Sequence, residues 1–556
     1  MQLMRSEEAT KALSNVLEAA HPVATIEVDP EARTGEPISV LAVANQESYV
    51  LIDAQQTPGL GDILERAGPL GGYEAKTLHR LLNRQFKATP SRWACIHLVE
   101  QLIAGGRERS TDLPGIADRY LKSSLPVMSD GLEALGEHTR SLAQIIEKQV
   151  DAIRQDALVT VSKIEAAAVP AIADMEEIGI PLDAPRWREI TREADAGRTE
   201  IRRHVGHYLS EHIAKDLFGN TQINLESSDE VKRALHALGH AVPNTKRETL
   251  KKLPPPIGPW LLRYRELSKL VSSYGESFLT SLGPDGRLHP TFEQIGASTG
   301  RMACHSPNVQ AVVKDSEHRQ CFRTSPGRTM VIGDYATCEL RILAEMSRDP
   351  VFLEAFDRGE DLHARVASSL FGKPVSKTQN SDLRHRAKAV NFGLVYGMGA
   401  GGLAHTLNLP TDQARRLLDQ YFRTFPRIRA FLEESAQQAI ERGFAKTLAG
   451  RRLYLSPGHD EASRAQAERI AKNMPIQGTS ADITKAALGR VWNKLRPIEG
   501  AHLINTVHDE VVIECDTGDQ EEVSHILTSE MKAAAEPFLP NVPMEVDAET
   551  STVWAK

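Results

Sequence analysis

The sequence predicts a multidomain α+β protein, on three observations. Its 556 residues correspond to roughly three to four domains at about 150 residues each. Residues 1–125 alternate short strand-like runs with helical ones and read as a small α/β or α+β domain, while the chain from about 135 turns largely helical before later turns and strands. Its composition is 41% hydrophobic and 25% charged, and no run of 18 apolar residues interrupts it, so the chain folds around water-shielded cores and carries no predicted membrane span.

Taken in order, residues 1–125 open with β-branched runs, HPVATIEV, ISVLAVAN and SYVLID, set apart by polar or glycine-containing turns. TLHRLLNRQF and RWACIHLVEQLI then carry helical periodicity. From about residue 135 the chain reads as long helix, broken near Pro170 and closed by Gly179 and Pro181. A charged helix follows from Arg186, and then EVKRALHALG. The basic run PNTKRETLKKL holds Lys246, Arg247, Lys251 and Lys252, and another helix lies near 260–279. On charge alone this stretch reads either as a solvated surface or as a basic arm. Turns and short strands lead to the run TMVIGDY. Residues 350–445 are again helical, with Thr424 and Pro426 as start signals before RIRAFLEESAQQAIERG. A hairpin, LINTVHDEVVIEC, folds about His508 and Asp509, and a last helix, EEVSHILTSEMKAAAEPF, follows it.

Charge and cysteine content narrow the class. Lys and Arg total 66 against 74 Asp and Glu, a net charge of −8; this argues against a wholesale polycation and leaves a local basic groove open. Cys95, Cys304, Cys321, Cys338 and Cys515 are far apart, in no paired spacing. That excludes a disulfide framework or a CxxC knuckle and suits a reducing compartment. The N-terminus lacks the apolar core of a signal peptide.

Two aspartates have unusual settings. Asp334 ends the apolar run Met330-Val331-Ile332, and Asp509 sits at the turn of an apolar hairpin. Carboxylates on strand tips are rigidly placed, and a pair of them suits phosphoryl transfer, which uses two divalent ions about 3.5–4 Å apart. Taken singly, each reads first as a turn residue or an ion-pair partner, and spacing alone does not join them. In Arg384–Gly397, the residues Arg384, Lys388, Phe392 and Tyr396 fall within an arc of about 120° on one helix face. Two cations followed by two aromatic rings suit a polyphosphate at one end and a stacked base farther along. The same order also suits a helix that packs through its rings while its cations snorkel. GxxxxGK[ST], GxGxxG and HExxH motifs do not occur, so any nucleotide would be held by side chains and metal.

These residues carry a family resemblance. Asp334-Tyr335-Ala336-Thr337-Cys338-Glu339-Leu340-Arg341 resembles the first polymerase motif of the bacterial DNA polymerase I family, family A, usually written DYSQIELR. Arg384–Gly397 resembles its nucleotide-binding fingers helix, and His508-Asp509-Glu510 its third motif. In the right order lie Thr299-Gly300-Arg301, Asp361-Leu362-His363, Thr447-Leu448-x-Gly450-Arg451-Arg452 and Arg469-xxx-Asn473-xxx-Gln477-Gly478-Thr479.

The resemblance implies a right-hand palm, fingers and thumb preceded by an RNase H-like α/β exonuclease-like domain. The expected divisions are 1–165 for that domain, 166–290 for linker helices and thumb, 291–350 for the first part of the palm, 351–480 for the fingers and 481–556 for the rest of the palm. The implied activity is template-directed DNA synthesis from dNTPs on a primer 3′-hydroxyl, with two Mg²⁺ ions and pyrophosphate release. Asp334 and Asp509 would hold the metals, with Glu510 close by, and Lys388 and Arg384 would meet the incoming triphosphate. His363 would bind its phosphates from the side, and Tyr396 would line the nascent base pair. Glu339 would exclude a 2′-hydroxyl, and Phe392 implies discrimination against dideoxynucleotides. Arg301, Arg469 and Gln477, supported by Asn473, are expected in the minor groove of the primer–template, where acceptors are common to all Watson–Crick pairs. Lys246, Arg247, Lys251 and Lys252 would add phosphate contacts. The motif departs from the common pattern at Ala336-Thr337-Cys338, which replaces Ser-Gln-Ile without removing a catalytic group.

The N-terminal segment resembles the family's proofreading exonuclease only faintly. That chemistry needs four carboxylates, and here Thr25 and Leu78 stand at two of the positions, leaving Glu27 and Asp156. A catalytically dead domain without proofreading is therefore expected; the rival is a rearranged site supplied by Asp29, Glu74 or Glu27. A separate 5′-nuclease domain is not expected before residue 1. The expected partners are primer–template DNA and dNTPs, with no membrane, as a monomer in the cytoplasm or at the nucleoid; a viral or organellar source and any processivity factor stay open. Two alternatives remain: a non-catalytic primer–template binding protein on the same fold, and a related single-subunit RNA polymerase.

Overall fold

The computed structural model describes residues 3–19, 24–210, 223–314, 316–395, 397–456, 458 and 460–554. The chain divides into two compact units. The larger comprises the chain up to Gly179, Phe292–Cys304 and Pro326–Thr552; the other comprises Ile180–Thr291, His305–Ser325 and the residues from Val553.

In the larger unit, the three β-branched runs near the N-terminus form strands β1 (Ala24–Val28), β2 (Val40–Ala44) and β3 (Tyr49–Asp53). With β4 (Leu70–Gly72) and β5 (Trp93–Cys95) they make a sheet, ordered β3-β2-β1-β4-β5 among the described residues. β2 is antiparallel to both β1 and β3, while β4 is parallel to β1 and to β5. The helix Ala75–Phe86 buries Ala75, Leu78, His79 and Leu82, three to four residues apart, against this layer.

Two local expectations are corrected. Trp93–Cys95 is a strand, not the start of a helix, and the helix begins at Ile96; three residues are too few to show a period, and pairing with Leu70–Gly72 decides the conformation. Pro170 lies inside an unbroken helix, Val159–Ile178. The break comes earlier, at Ala157, whose φ of 54° ends the helix Leu132–Gln155. Leu158 N donates to Ile153 O at 2.9 Å and Ala157 N to Arg154 O at 3.2 Å, the closure that glycine normally serves.

Farther along, β6 (Arg328–Tyr335), β7 (His502–Val507), β8 (Glu510–Asp516) and β9 (Val546–Ser551) form an antiparallel sheet in the order β7-β8-β6-β9. Met330, Val331 and Ile332 are fully buried, each contributing roughly 1.5–3 kcal/mol. One face packs on the helix Gln520–Ala535: a Cβ on Gly333 would strike Leu527, and the Tyr335 hydroxyl donates to Met531 O at 2.7 Å. Helices Pro350–Asp357 through Pro426–Arg442 and the 35-residue helix Glu461–Leu495 complete the unit.

The second unit has its own core. Val205, Leu209, Val231, Leu235, Leu250, Leu261 and Tyr264 pack between the long helices Ala184–Ser210 and Ile257–Tyr274 and the short helices between them. Among the described residues, no helix is long and apolar enough to cross a membrane.

Candidate active site

β6 and the β7–β8 hairpin bring two distant aspartates to one end of a sheet. Val507 pairs with Glu510, so His508 and Asp509 alone make the turn, and His508 takes a φ of 58°. Asp334 lies directly across from Glu510 on one side and Asp547 on the other; directly opposed residues share a face. Tyr335 N approaches Asp509 O at 3.4 Å, which ties the turn to the end of β6.

The electrostatics show how crowded this end is. Burial, then the charges of Asp334 and Glu339, push the Asp509 carboxyl up to about 7, with Arg301 opposing. Arg301 Nη2 donates to Glu339 Oε1 at 2.5 Å, and Glu339, on the helix Cys338–Ser347, is buried. The Arg301 loop is seated by glycine: a Cβ on Gly478 would lie 3.0 Å from Thr299 O, and one on Gly300 2.5 Å from Arg451 Nε. Among the described residues, no group of three or more His, Cys, Asp or Glu side chains is placed to hold a metal. The pair Asp334 and Asp509 nonetheless fits hard divalent cations in its chemistry. Both are oxygen donors, and their mutual repulsion is what bound positive charge relieves.

The helix Ser381–Val395 carries Arg384, Lys388 and Phe392; Tyr396 lies outside the described residues. Arg384 Nε donates to Asp361 Oδ2 at 2.8 Å. Burial opposes ionisation of Asp361, but Arg384 outweighs it and holds the carboxyl below its usual range. Lys388 is exposed, with Nζ 5.9 Å from the centre of the Phe392 ring. His363 packs its ring 5.5 Å from Phe392. Burial drives its pKa down to about 4; Asp361 opposes the shift, and Arg384 and Lys388 add to it. The ring is therefore neutral near pH 7.

Arg469, Asn473 and Gln477 recur every fourth residue on Glu461–Leu495 and so share a face. Arg469 is exposed, and its stem covers Gly397, where a Cβ would meet Arg469 Cγ at 2.5 Å. Gln477 is buried, and Asn473 Oδ1 has no hydrogen-bond partner among the described residues. In the second unit, Lys246, Arg247, Lys251 and Lys252 are all exposed. A groove of about 580 Å³ runs beside them, lined by Arg247, Lys251, Arg265 and Lys269.

The N-terminal candidates do not converge. Thr25 is fully buried, with no partner for its hydroxyl among the described residues. Glu27 accepts from Arg33 Nη2 at 2.7 Å, and Arg33 reaches Glu74 at 3.2 Å, so a guanidinium fills the space between these carboxylates. Leu78 is fully buried over Gly72, whose added Cβ would meet Leu78 Cδ1 at 2.3 Å. Asp156 pairs with Arg452 at 2.8 Å. Asp29 Oδ1 accepts from Ser39 N and Val40 N. In the sequence Asp361 stands out only within the Asp361-Leu362-His363 motif; its pairing with Arg384 and the place of Asp547 beside Asp334 appear only in the folded chain.

The family model for DNA polymerase family A matches residues 198–556. The thermostable DNA polymerase I of Thermus filiformis is 33% identical over 418 residues, 70% of this chain and 48% of the relative. DNA polymerase I of Pseudomonas aeruginosa is 34% identical over 436 residues, 75% of this chain and 46% of the relative. The chain thus spans about half the length of the curated relatives it matches. A solved structure, the POL domain of Pol1 from M. smegmatis in complex with DNA primer-template and dNTP, is similar with a TM-score of 0.83. It is 26% identical and covers 100% of this chain and 99% of its own.

Proposed function

This chain belongs to DNA polymerase family A and has that family's right-hand fold of palm, fingers and thumb, and we propose that it is a template-directed DNA polymerase extending a primer 3′-hydroxyl with dNTPs. The observation that carries this reading is the meeting of Asp334 and Asp509 at one sheet end, with Glu339 close enough to raise the Asp509 carboxyl. Asp334 and Asp509 would hold Mg²⁺ ions, whose positive charge would favour attack by the primer oxygen and departure of pyrophosphate. Lys388 and Arg384 meet the triphosphate as fixed cations, and neutral His363 donates to it from the side. Glu339, pinned by Arg301, occupies the room a ribose 2′-hydroxyl would need. Glu510 lies across the strand from Asp334. Arg301, Arg469 and Gln477 test the shape of the primer–template minor groove, while Lys246, Arg247, Lys251 and Lys252 contact its phosphates.

The palm corresponds to 291–350 and 481–556, the fingers to 351–480, and the linker helices and thumb to 166–290. Residues 1–165 form a degenerate exonuclease-like domain of RNase H type. The strand order with one reversed strand supports its descent, and the Arg33 bridge and buried Leu78 support its loss of metal chemistry. The protein works on DNA in the cytoplasm or at the nucleoid.

The test is primer extension with dNTPs and, separately, NTPs. The full chain is expected to extend with dNTPs and barely with NTPs, and Asp509→Ala to abolish extension. Equal use of both nucleotides would favour an RNA polymerase; primer–template binding without extension would favour a non-catalytic binder.

A further inference from the structure

Three buried polar side chains beside the proposed triphosphate site form a line that the roles above leave unused. Tyr421, on the helix Thr411–Thr424, is fully buried, and its hydroxyl donates to Asn391 Oδ1 at 2.9 Å. Asn391 is fully buried on the helix that carries Arg384 and Lys388, and its Nδ2 lies 3.1 Å from His363 Nδ1. His363, 5% exposed, stands in the first turn of the helix Leu362–Phe371.

The direction of each proton follows from what the others can do. Asn391 is the single hydrogen-bond acceptor for the Tyr421 proton among the described residues. Burial raises the phenol's pKa well above its ordinary value, so the proton stays on. Turning the amide round would set Nδ2 against the phenol and strand that proton without an acceptor, which buried polar groups avoid. With Oδ1 thus committed to Tyr421, Nδ2 faces His363 and donates to Nδ1. A neutral imidazole that accepts at one nitrogen carries its proton on the other.

We propose that Tyr421 and Asn391 are positioning residues that fix His363 as the Nε2–H tautomer, so that the ring offers a hydrogen-bond donor to the triphosphate of an incoming nucleotide. The proposal rests on the polymerase reading for its ligand, though not for the tautomer. The relay gives the phosphates a neutral donor beside two fixed cations. With the opposite tautomer, Nε2 would turn a lone pair toward phosphate oxygens and repel them.

The full chain labelled with [15N]histidine, without nucleotide, reads the tautomer directly, with His363 assigned by comparison with His363→Gln. The expected spectrum has a protonated Nε2 and an unprotonated Nδ1. In Tyr421→Phe the amide loses its anchor, and the two tautomers should mix. KM for dNTP should rise about twofold when the two tautomers are equally populated, because only the Nε2–H form then donates, with kcat changed less. Asn391→Asp, which accepts from Nδ1, should drive the ring to the opposite tautomer with a larger rise in KM, about tenfold or more, the worth of one hydrogen bond to a charged group. A wild-type Nδ1–H tautomer would overturn the proposal. So would a folded Tyr421→Phe protein whose histidine spectrum and KM are both unchanged, since that is what a purely structural hydrogen bond predicts. Failure of primer extension by wild type would remove the polymerase reading, while the nucleotide-free spectrum would still decide the tautomer.

Discussion

Glu339 is held by Arg301 at 2.5 Å, and its charge also adds to the cost of ionising Asp509. A side chain fixed in this way excludes a ligand group by occupying space, so truncation should matter more for the excluded group than for the accepted one. Glu339→Ala should therefore lower the preference for dNTP over NTP by about a hundredfold, the usual worth of rejecting one hydroxyl. Single-nucleotide incorporation kinetics measure this, and an equal loss for both nucleotides would contradict it. At this scale the sequence was legible where chemistry follows local order. The cations and ring of Arg384, Lys388 and Phe392 lie on one helix, so their face follows from a 3.6-residue period. What fixes those groups was not legible: Asp361 is 23 residues from Arg384, Tyr421 is 30 residues from Asn391, and no period links either pair.

Elements in the larger unit are fastened by a buried ionic cluster. Glu165, from the helix Val159–Ile178, accepts from Lys485 Nζ at 2.6 Å and also pairs with Arg451, which binds Asp482 Oδ1 at 2.7 Å. Burial opposes the Glu165 charge, but Lys485 and Arg451 outweigh it and hold the carboxyl below its usual range. Glu165→Ala would leave two buried cations with one carboxylate, and should cost about 3–5 kcal/mol in denaturant unfolding; a loss below about 1 kcal/mol would contradict the cluster's role. In the second unit, His318 is buried against Trp187 and Tyr274, with its ring 4.6 Å from that of Trp187. Burial lowers its pKa to about 4, against a small opposing push from Glu317. A histidine kept neutral by folding stabilises above its unfolded pKa of about 6.5, and that stability is lost as pH falls toward 4. The loss should reach about 3 kcal/mol in wild type and be absent in His318→Phe, as pH-dependent melting would show. Most elements were legible from periodicity, but Ala157 ends a helix without a glycine signal, and Pro170 is carried through one because tertiary packing outweighs one missing backbone bond.

Across the whole molecule, a net charge of −8 coexists with a groove lined by Arg247, Lys251, Arg265 and Lys269, so the balance of the chain says little about where an anion would bind. The α+β class followed from the sequence, and so did the ends of the strands that bear Asp334 and Asp509. Their meeting did not, because it depends on β6 pairing with β8, residue against residue, across the length of the intervening helices. The joint placement of those two carboxylates is the central claim, and Mg²⁺-dependent incorporation of a single dNTP opposite each of the four template bases tests it most directly. The full chain should add the complementary nucleotide in each case, and Asp334→Ala and Asp509→Ala, shown to be folded and to bind primer–template, should each add none. Incorporation that ignores the template base, or that survives loss of either aspartate, would contradict it.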